Sequence, residues 1–588
     1  MYPKIFIKPL TIGIFLIGFL LGSVIQVNAQ TGKIQNKRAF LEKLARQKEK
    51  VQKKLTVGGK AIPSEGTVKA LFVFVQFDDD STTKSKYWPY DTINLPSWTQ
   101  QFVENKPTAH FKSNNLTQYF YEMSNGKLNL IGDVYPKPVR PLYNTEHYKN
   151  ISEVNTEILE RLDEKIDYSK YDNWSRDKNR RFIKKPDGKV DMIFLLYRNF
   201  PDRLFFNHGW TGIAHLYLSK REIVTDDGVI IKRGSLDNGS GLIARGGKNG
   251  FYWLKYVAAH EFGHFLFGAG HIEGTTNLAL MVGGPVWNAS RGMHSWERVR
   301  LGWMKFVDVK AGIDAEYILP DYMTTNSALR LKLSEKEWFI VENRQRLSQH
   351  DKAGDKGIYI YHINSPYHFA PSIFVECADG NWNFKIDTTN KKLIKSRPNP
   401  FGKNEMNFSQ YIKGKNYACF KPIYETNAAW GDNKDAFDLT FNNVFSPVSN
   451  PSSANKAKIS FTIEVIGKIG KDYKLKFYFR NPYAGKPAKP QFLKSKKLHG
   501  NKLLLTWIPN KEPDLQAYRI YRTYGKTFSN NNLKKIIELP FLLNGEPLSE
   551  FIIKHEASHT PNFKTYYVIT AVDKNENESV FSDFVEVK

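Results

Sequence analysis

The sequence predicts an α+β protein in three parts: an α/β region with one buried helix, a β-rich region and a C-terminal β-sandwich. Three observations support this. Apolar strand-like runs alternate with a helical stretch before residue 260. Segments rich in β-branched and aromatic residues dominate after residue 305. A Pro-rich stretch then precedes a final segment of domain size with regularly spaced short strands.

The N-terminus has the pattern of an export signal. Two lysines precede an apolar run from Leu10 to Val24, and Val27-Asn28-Ala29 follows as a cleavage site. We therefore expect residues 1–29 to be removed and the mature protein to be secreted or periplasmic, with no membrane anchor. Residues 30–65 are basic and have a helical pattern, which indicates either a pro-segment or a surface helix.

The composition limits the classes of binding partner that we expect for this protein. The chain carries a formal charge of +26, but its lysines and arginines are spread along the sequence. No zinc finger, RNA-recognition signature or basic-region heptad accompanies them, so we expect no nucleic-acid partner. The two cysteines, Cys377 and Cys419, are too few for a disulfide scaffold, and the sequence leaves open whether they form a bridge. It also leaves the oligomeric state open.

The first globular part is predicted at 66–310. Residues 69–77 form an apolar run that ends in three aspartates, and residues 190–197 form a second run. Both runs predict buried strands. Between them, residues 115–124 have a helical pattern that ends before Asn125-Gly126. This alternation is typical of an α/β catalytic domain.

Strands dominate the rest of the chain. We place a β-rich region at 311–482, a linker at 483–490 and a β-sandwich at 491–588. The last segment resembles a fibronectin type III module, which implies a spacing or binding role. The residues that carry this likeness are Trp507, Tyr518, Tyr521 and the run 567–573.

The strongest chemical signal is the motif His-Glu-Phe-Gly-His at 260–264. On a helix, residues four apart share a face, so His260 and His264 can bind one ion. Imidazole nitrogen binds zinc at about 2.0–2.1 Å. Glu261 can hold a water and accept its proton as that water attacks a peptide carbonyl. The apolar residues before His260 predict that this helix is buried.

The third ligand is less firmly indicated. Gly268-Ala-Gly-His271 follows the motif, and its glycines permit a sharp turn that returns His271 to the metal. In metzincin proteases the corresponding Gly and ligand come one residue earlier. Glu273 and Glu297 are therefore alternatives to His271. Met281 lies where a metzincin has a methionine beneath the metal, although a lone methionine is also common in cores.

Dispersed motifs from about residue 68 to residue 480 resemble the immune inhibitor A-like family of secreted bacterial metallopeptidases. They include 119–126, 187–191, 294–303, 339–345 and 357–362. The resemblance implies a metzincin-like zinc endopeptidase that uses His260, Glu261 and His264. It also implies structural Ca²⁺, for which the acidic residues at 171–173 and 187–188 are candidates, although the stretch between them is basic.

The remaining polar candidates have structural interpretations. We expect His208 and His215 to support the fold, Glu342 and Arg344 to pair within the β-rich region, and His362 to close a strand.

The predicted function is hydrolysis of protein or peptide substrates by a zinc endopeptidase with Glu261 as general base. The alternative is an inactive exported binding protein or adhesin that keeps a metal site. The sequence does not indicate a substrate or its side-chain preference.

Overall fold

The computed structural model describes the chain in the following ranges: 58–107, 114–234, 239–272, 278–281, 292–351, 355–364, 366, 371–378, 384–386, 393–395, 411–412, 415–416, 435–440, 442–447, 449, 451–453, 455–482, 485–510, 512, 515–524, 533–543, 546–556, 564–573 and 576–587. The predicted signal segment 1–29 and the stretch 30–57 lie outside these ranges. Among the described helices, none is long and apolar enough to cross a membrane.

A five-stranded sheet forms the first part of the fold. Its strands in chain order are β1 (Gly66–Val75), β2 (Leu128–Val134), β3 (Ile193–Tyr197), β4 (Gly212–Ile213) and β5 (Gly241–Arg245). The spatial order is β2-β1-β3-β5-β4. All neighbours are parallel except the edge strand β4, which runs antiparallel to β5.

Both faces of this sheet are covered. Alternate residues of β1 face opposite sides, so Phe72 and Phe74 join one core while Val73 and Val75 join the other. Burial on both faces explains why this strand is a continuous apolar run in the sequence.

Three helices cover the sheet. Helices α1 (Leu116–Met123) and α3 (Phe251–Phe267) pack in the first core, and α2 (Ile151–Asp163) packs in the second. Asn115 and Asn150 cap α1 and α2 by accepting backbone N–H groups through their side chains. The short helices α4 (Ser295–Arg300) and α5 (Tyr322–Thr325) follow.

The second part is β-rich, as predicted. Its strands are β6 (Lys305–Val309), β7 (Ala315–Leu319), β8 (Ser327–Ser334), β9 (Glu337–Arg344), β10 (Gly357–Asn364), β11 (Ser372–Glu376), β12 (Val444–Phe445), β13 (Thr462–Ile469) and β14 (Asp472–Tyr478). They form two sheets, β6-β8-β9-β10-β11 and β7-β14-β13-β12, around a shared hydrophobic core.

The third part also consists of two sheets around one core. Its strands are β15 (Gln491–Leu498), β16 (Lys502–Ile508), β17 (Leu515–Tyr524), β18 (Lys534–Pro540), β19 (Glu550–Lys554), β20 (Thr565–Asp573) and β21 (Val585–Val587). The sheets are β15-β16-β19 and β18-β17-β20-β21. The Trp507 and Tyr518 rings meet edge to face in their shared core, with centroids 5.2 Å apart.

Small elements complete the described chain. Two-stranded hairpins pair Ser175–Arg176 with Phe182–Ile183, Glu222–Val224 with Ile230–Lys232, Phe384–Ile386 with Leu393–Lys395, Tyr411–Ile412 with Lys415–Asn416, and Leu542–Leu543 with Glu546–Pro547. Short 3-10 helices span Asp78–Thr82, Ser97–Gln101, Thr145–His147, Tyr168–Tyr171, Asp202–Phe205 and Gly247–Asn249.

Two predicted boundaries shift. Residues 58–65, predicted as part of a helical segment, form bends and pack against the first part of the fold. Strand β6 pairs with β8, so the β-rich part begins at Lys305 and not after residue 310.

A buried polar network joins the first two parts through α4. Glu342 of β9 accepts the backbone N–H of Ser295 at 2.5 Å and the hydroxyl of Tyr361 at 2.9 Å. The guanidinium of Arg344 lies 3.7 Å from Glu342 and pairs with Asp351 at 2.5 Å. The predicted contact between Glu342 and Arg344 is therefore part of a larger set that also fixes the start of α4.

Arg298 of α4 is fully buried and holds two other elements. Its guanidinium donates to the carbonyl of Met123 at the end of α1 and to the carbonyl of Tyr322 in α5, both at 2.8 Å. It also donates to the side-chain oxygen of Asn326 and to the Met323 sulfur, so its charge is buried with hydrogen-bond partners that offset the cost of desolvation.

We expect Arg298→Met to lower the free energy of unfolding by about 3 kcal/mol, because hydrogen bonds from a charged group contribute about 1.5–3 kcal/mol each. Urea unfolding measures this value. Lys310→Met, at an exposed position, is the control and should leave the midpoint unchanged. Equal stability of both variants would contradict the role of Arg298.

Candidate metal centre

Helix α3 places two histidines of the motif on one face. It begins after Gly250, whose φ is 94°, and ends at Gly268, whose φ is 102°. A side chain would strain both conformations. The helix is buried from Leu254 to Phe267, so its imidazoles are held in an apolar environment, with the His260 and His264 ring centroids 4.9 Å apart.

His271 returns to these two rings. Its Nε2 lies 3.0 Å from the Nε2 of His260, and its ring centroid lies 4.9 Å from that of His264. One potential ligand atom from each of the three residues falls within 4.8 Å of the others. Tetrahedral zinc with imidazole ligands would separate the nitrogens by roughly 3.3 Å. The three residues therefore fit a metal, and the extra residue in the turn does not prevent His271 from reaching it.

Backbone carbonyls orient two of the rings. The Nδ1 of His260 lies 2.7 Å from the carbonyl oxygen of Leu280, and the Nδ1 of His264 lies 2.8 Å from that of Gly268. Each carbonyl requires a proton on Nδ1, which leaves Nε2 with its lone pair toward the cluster. Burial lowers the pKa of His264 to about 4, so this ring is neutral, as a metal ligand must be.

Met281 packs against the helix between the two histidines. A Cβ atom on Gly263 would lie 2.4 Å from the Met281 sulfur, so any larger residue there would require the Met281 side chain to move. The backbone N–H of Ile272 donates to the Met281 carbonyl at 2.7 Å, which ties this turn to the residue after His271. The Met281 sulfur thus lies next to Gly263, between His260 and His264 in the sequence, and its role beneath a metal stays a prediction.

Glu297 binds backbone N–H groups and is not placed as a metal ligand. It is fully buried, and its carboxylate accepts the backbone N–H groups of Leu280 at 3.2 Å, Met281 at 2.8 Å and His294 at 3.2 Å. The proposal of Glu297 as an alternative third ligand is wrong for this reason. Its carboxylate instead fixes the turn whose Leu280 carbonyl orients His260. The other alternative, Glu273, lies outside the described residues.

Glu261 points toward the edge strand of the sheet. A Cβ on Gly212 would lie 2.6 Å from Oε1 of Glu261, so glycine in β4 makes room for this carboxyl. Burial raises the pKa of Glu261 to about 8, and a hydrogen bond from the Ala214 backbone opposes that rise. A nearby cation would lower the pKa further.

Strand β4 is the edge strand of the sheet beside this carboxyl. The N–H of Arg245 donates to the carbonyl of Thr211 at 2.7 Å, within the sheet. In an antiparallel pair successive residues alternate in direction, so the N–H and C=O of Gly212 face away from β5. Among the described residues no strand follows β4 in the sheet. Gly212 itself is buried.

The other histidines have structural contacts. His208 stacks on Trp210 with centroids 3.9 Å apart. His215 stacks on Tyr217 at 4.2 Å and accepts its backbone N–H at 2.7 Å, while burial lowers its pKa to about 4. His362 does not close a strand. It lies within β10 and pairs with Glu337 at 2.7 Å.

The candidate calcium cluster is internally hydrogen-bonded. Asp172 accepts the N–H groups of Asp187 and Gly188 at 2.9 and 2.7 Å, so its oxygens hold the loop. Across the described residues, the three histidines are the only such group of His, Cys, Asp or Glu placed to hold a metal. Structural calcium stays a prediction. Cys377 is buried, and Cys419 lies outside the described residues.

Sequence reasoning missed several residues of the site. Gly212 belongs to a two-residue strand that is too short for a period to show, and Ala214 directly follows that strand. Glu297 stands at the third residue of a helix after His294, which is the spacing of a capping box, and that pattern could have indicated its backbone contacts.

Comparisons with known proteins add little. No family model matches the chain, and no curated protein matches it. Among solved structures, an Fn3-like protein from Clostridium thermocellum has 25% identity over 17% of this chain and 92% of its own, with a TM-score of 0.13. Pectate lyase Pel3 from Pectobacterium carotovorum has 18% identity over 16% of this chain and 26% of its own, with a TM-score of 0.12.

The spore cortex lytic enzyme SleM from Clostridium perfringens has 21% identity over 21% of this chain and 35% of its own, with a TM-score of 0.13. The chain thus spans about a quarter of Pel3 and about a third of SleM. TM-scores this low carry no argument about function.

The different roles of His271 and Glu297 can be separated by experiment. We expect His271→Ala to weaken zinc binding but to leave the melting temperature of the metal-free protein unchanged, because His271 is half-exposed. Glu297→Gln should lower that melting temperature and weaken zinc by about 10- to 100-fold, as loss of an outer-shell contact does. Chelator competition measures the zinc affinity, and thermal unfolding measures the melting temperature of the metal-free protein. A Glu297→Gln protein as stable as the native one would contradict the bracing role.

Proposed function

We propose that this protein is a secreted zinc-dependent endopeptidase. One observation carries the proposal: His260, His264 and His271 converge in one cluster, and Glu261 on the same helix lies against the edge strand of a sheet. Candidate ligands and a carboxyl base are thus found together.

The ligand set supports zinc. Three imidazole nitrogens suit Zn²⁺, and three protein ligands leave a fourth position for substrate or water, as in catalytic sites. When bound, zinc would polarise the scissile carbonyl and lower the pKa of a water. The carbonyls of Leu280 and Gly268 hold His260 and His264 in the tautomer that such binding needs.

Glu261 is suited to accept the proton of the attacking water and to pass it to the leaving amine. The backbone of Ala214 donates a hydrogen bond to this carboxyl group. Gly212 has no side chain and therefore leaves space for the carboxyl group. A general base works best when its pKa lies near the working pH, and burial moves Glu261 in that direction. Burial also keeps the carboxyl away from bulk water.

The edge position of β4 supports a peptide substrate. An extended chain that pairs with β4 would add a strand to the sheet, and main-chain hydrogen bonds would hold it with little regard to side chains. Since Glu261 contacts Gly212, this pairing would bring a peptide bond close to the base and the ligands. Proteins and peptides are therefore the substrate class that fits.

Other parts of the proposal rest on sequence. The metzincin-like catalytic fold and the immune inhibitor A-like resemblance agree with the buried helix, the turn to His271 and the position of Met281. Export follows from the signal pattern at 1–29. Structural Ca²⁺ and a fibronectin type III-like module at 491–588 belong to the same proposal.

We expect Glu261→Gln to reduce cleavage of an unfolded protein such as casein by about 10²–10⁴-fold, the usual contribution of a general base. The amide keeps the shape of the side chain, so bound zinc should stay at the native amount. Glu222→Gln, at an exposed glutamate, is the control and should keep the native rate. Fluorescent casein and metal analysis provide the measurements.

The same assay tests the alternative of an inactive adhesin. Native protein should release fragments, and a zinc chelator should stop the release. Cleavage that persists at the native rate in Glu261→Gln would overturn the role of this residue. No cleavage of casein or of a mixed peptide library by zinc-loaded native protein would overturn the proposed function in favour of the adhesin.

A further inference from the structure

The segment Gly58–Ser64, here called the N-terminal strap, crosses the end of the helix that carries the motif. The backbone N–H of Lys60 donates to the carbonyl of Leu266 at 3.0 Å, and that of Ala61 donates to the carbonyl of Phe265 at 2.7 Å. The last carbonyls of a helix have no partner within the helix. The strap supplies donors to two of them.

These bonds lie next to the group that orients His264. Gly268 follows the two carbonyls within three residues, and its own carbonyl holds the Nδ1 of His264 at 2.8 Å. The strap therefore restrains the turn from which the chain continues to His271.

The strap also contacts the helix that carries Glu297. The N–H of Gly58 donates to the carbonyl of Arg300, the last residue of α4, at 2.9 Å. The indole N–H of Trp303 donates to the carbonyl of Ser64 at 2.6 Å. Ile62 is buried in the core of α3. The strap thus bridges the two helices, α3 and α4, that hold opposite sides of the site.

We infer that the N-terminal strap is a positioning element of the metal centre and a permanent part of the active protein. Its backbone N–H groups, and not its side chains, hold the end of α3 in the geometry that the metal needs. Any N-terminal processing must therefore cut before Gly58. The link to hydrolysis rests on the proposed function, whereas the link to metal binding does not.

The test compares proline with alanine at one position in the full chain. Lys60→Pro removes the N–H that Leu266 accepts, and Ala61→Pro removes the one that Phe265 accepts. Lys60→Ala keeps the N–H and is the matched control. Cobalt in place of zinc gives a visible absorption spectrum that reports ligand number and geometry, and chelator competition gives the zinc dissociation constant.

We expect both proline variants to change the cobalt spectrum and to raise the zinc dissociation constant by about 10-fold or more, as loss of an outer-shell contact does. Lys60→Ala should keep the native spectrum, and its zinc dissociation constant should stay within about two-fold of the native value, well below a 10-fold change. Proline variants that lose thermal stability but bind cobalt and zinc natively would overturn the inference, since the strap would then serve the fold alone.

A second measurement does not depend on any variant. Intact-mass analysis of the natively processed protein that binds zinc should show an N-terminus at or before Gly58. A zinc-binding species that begins after Ile62 would overturn the inference. Neither result depends on cleavage of a substrate, so a protein that binds metal as expected but cuts no peptide refutes the proposed function and leaves the strap intact.

Discussion

The carboxylate of Glu297 is the interaction on which the arrangement of the centre depends. A fully buried carboxylate is costly unless hydrogen bonds replace its water, and three backbone N–H groups do so here. Two of them belong to Leu280 and Met281. Because those residues also supply the carbonyl for His260 and the sulfur beneath Gly263, one side chain fixes both the tautomer of a ligand and the packing below it.

The same short helix extends this constraint to the β-rich part. Glu297, Arg298 and the N–H of Ser295 point to three different partners: the turn below the histidines, the ends of α1 and α5, and Glu342 of β9. Each contact is buried, so none can be exchanged for water without cost. The sheets beyond residue 305 are thus more than an appended module, since their innermost strand helps to fix the helix that braces the site.

The sequence predicted this architecture where its signal was long and periodic. The strands near 69–77 and 190–197, the helix at 115–124 and the β-rich second half follow from apolar patterns that burial imposes. The helix of the motif is mostly apolar, which matches its burial from Leu254 to Phe267. Strand β4 could not be predicted, because two residues have no period and its place is set by pairing with β5. The role of Glu297 likewise depends on a turn that meets α4 only in three dimensions.

The candidate third ligand shows how local and tertiary information combine. Spacing alone left His271 one residue away from the expected pattern, with two acids as alternatives. The structure resolves the difference between His271 and Glu297 through burial and hydrogen bonding: the acid is enclosed among N–H donors, while the imidazole reaches within 3.0 Å of His260. A site built from His264 as a neutral imidazole and from Glu261 with a raised pKa carries little charge before metal arrives. That is why it can be buried without an opposing cation from the protein, and why a divalent ion bound nearby would lower the pKa of Glu261.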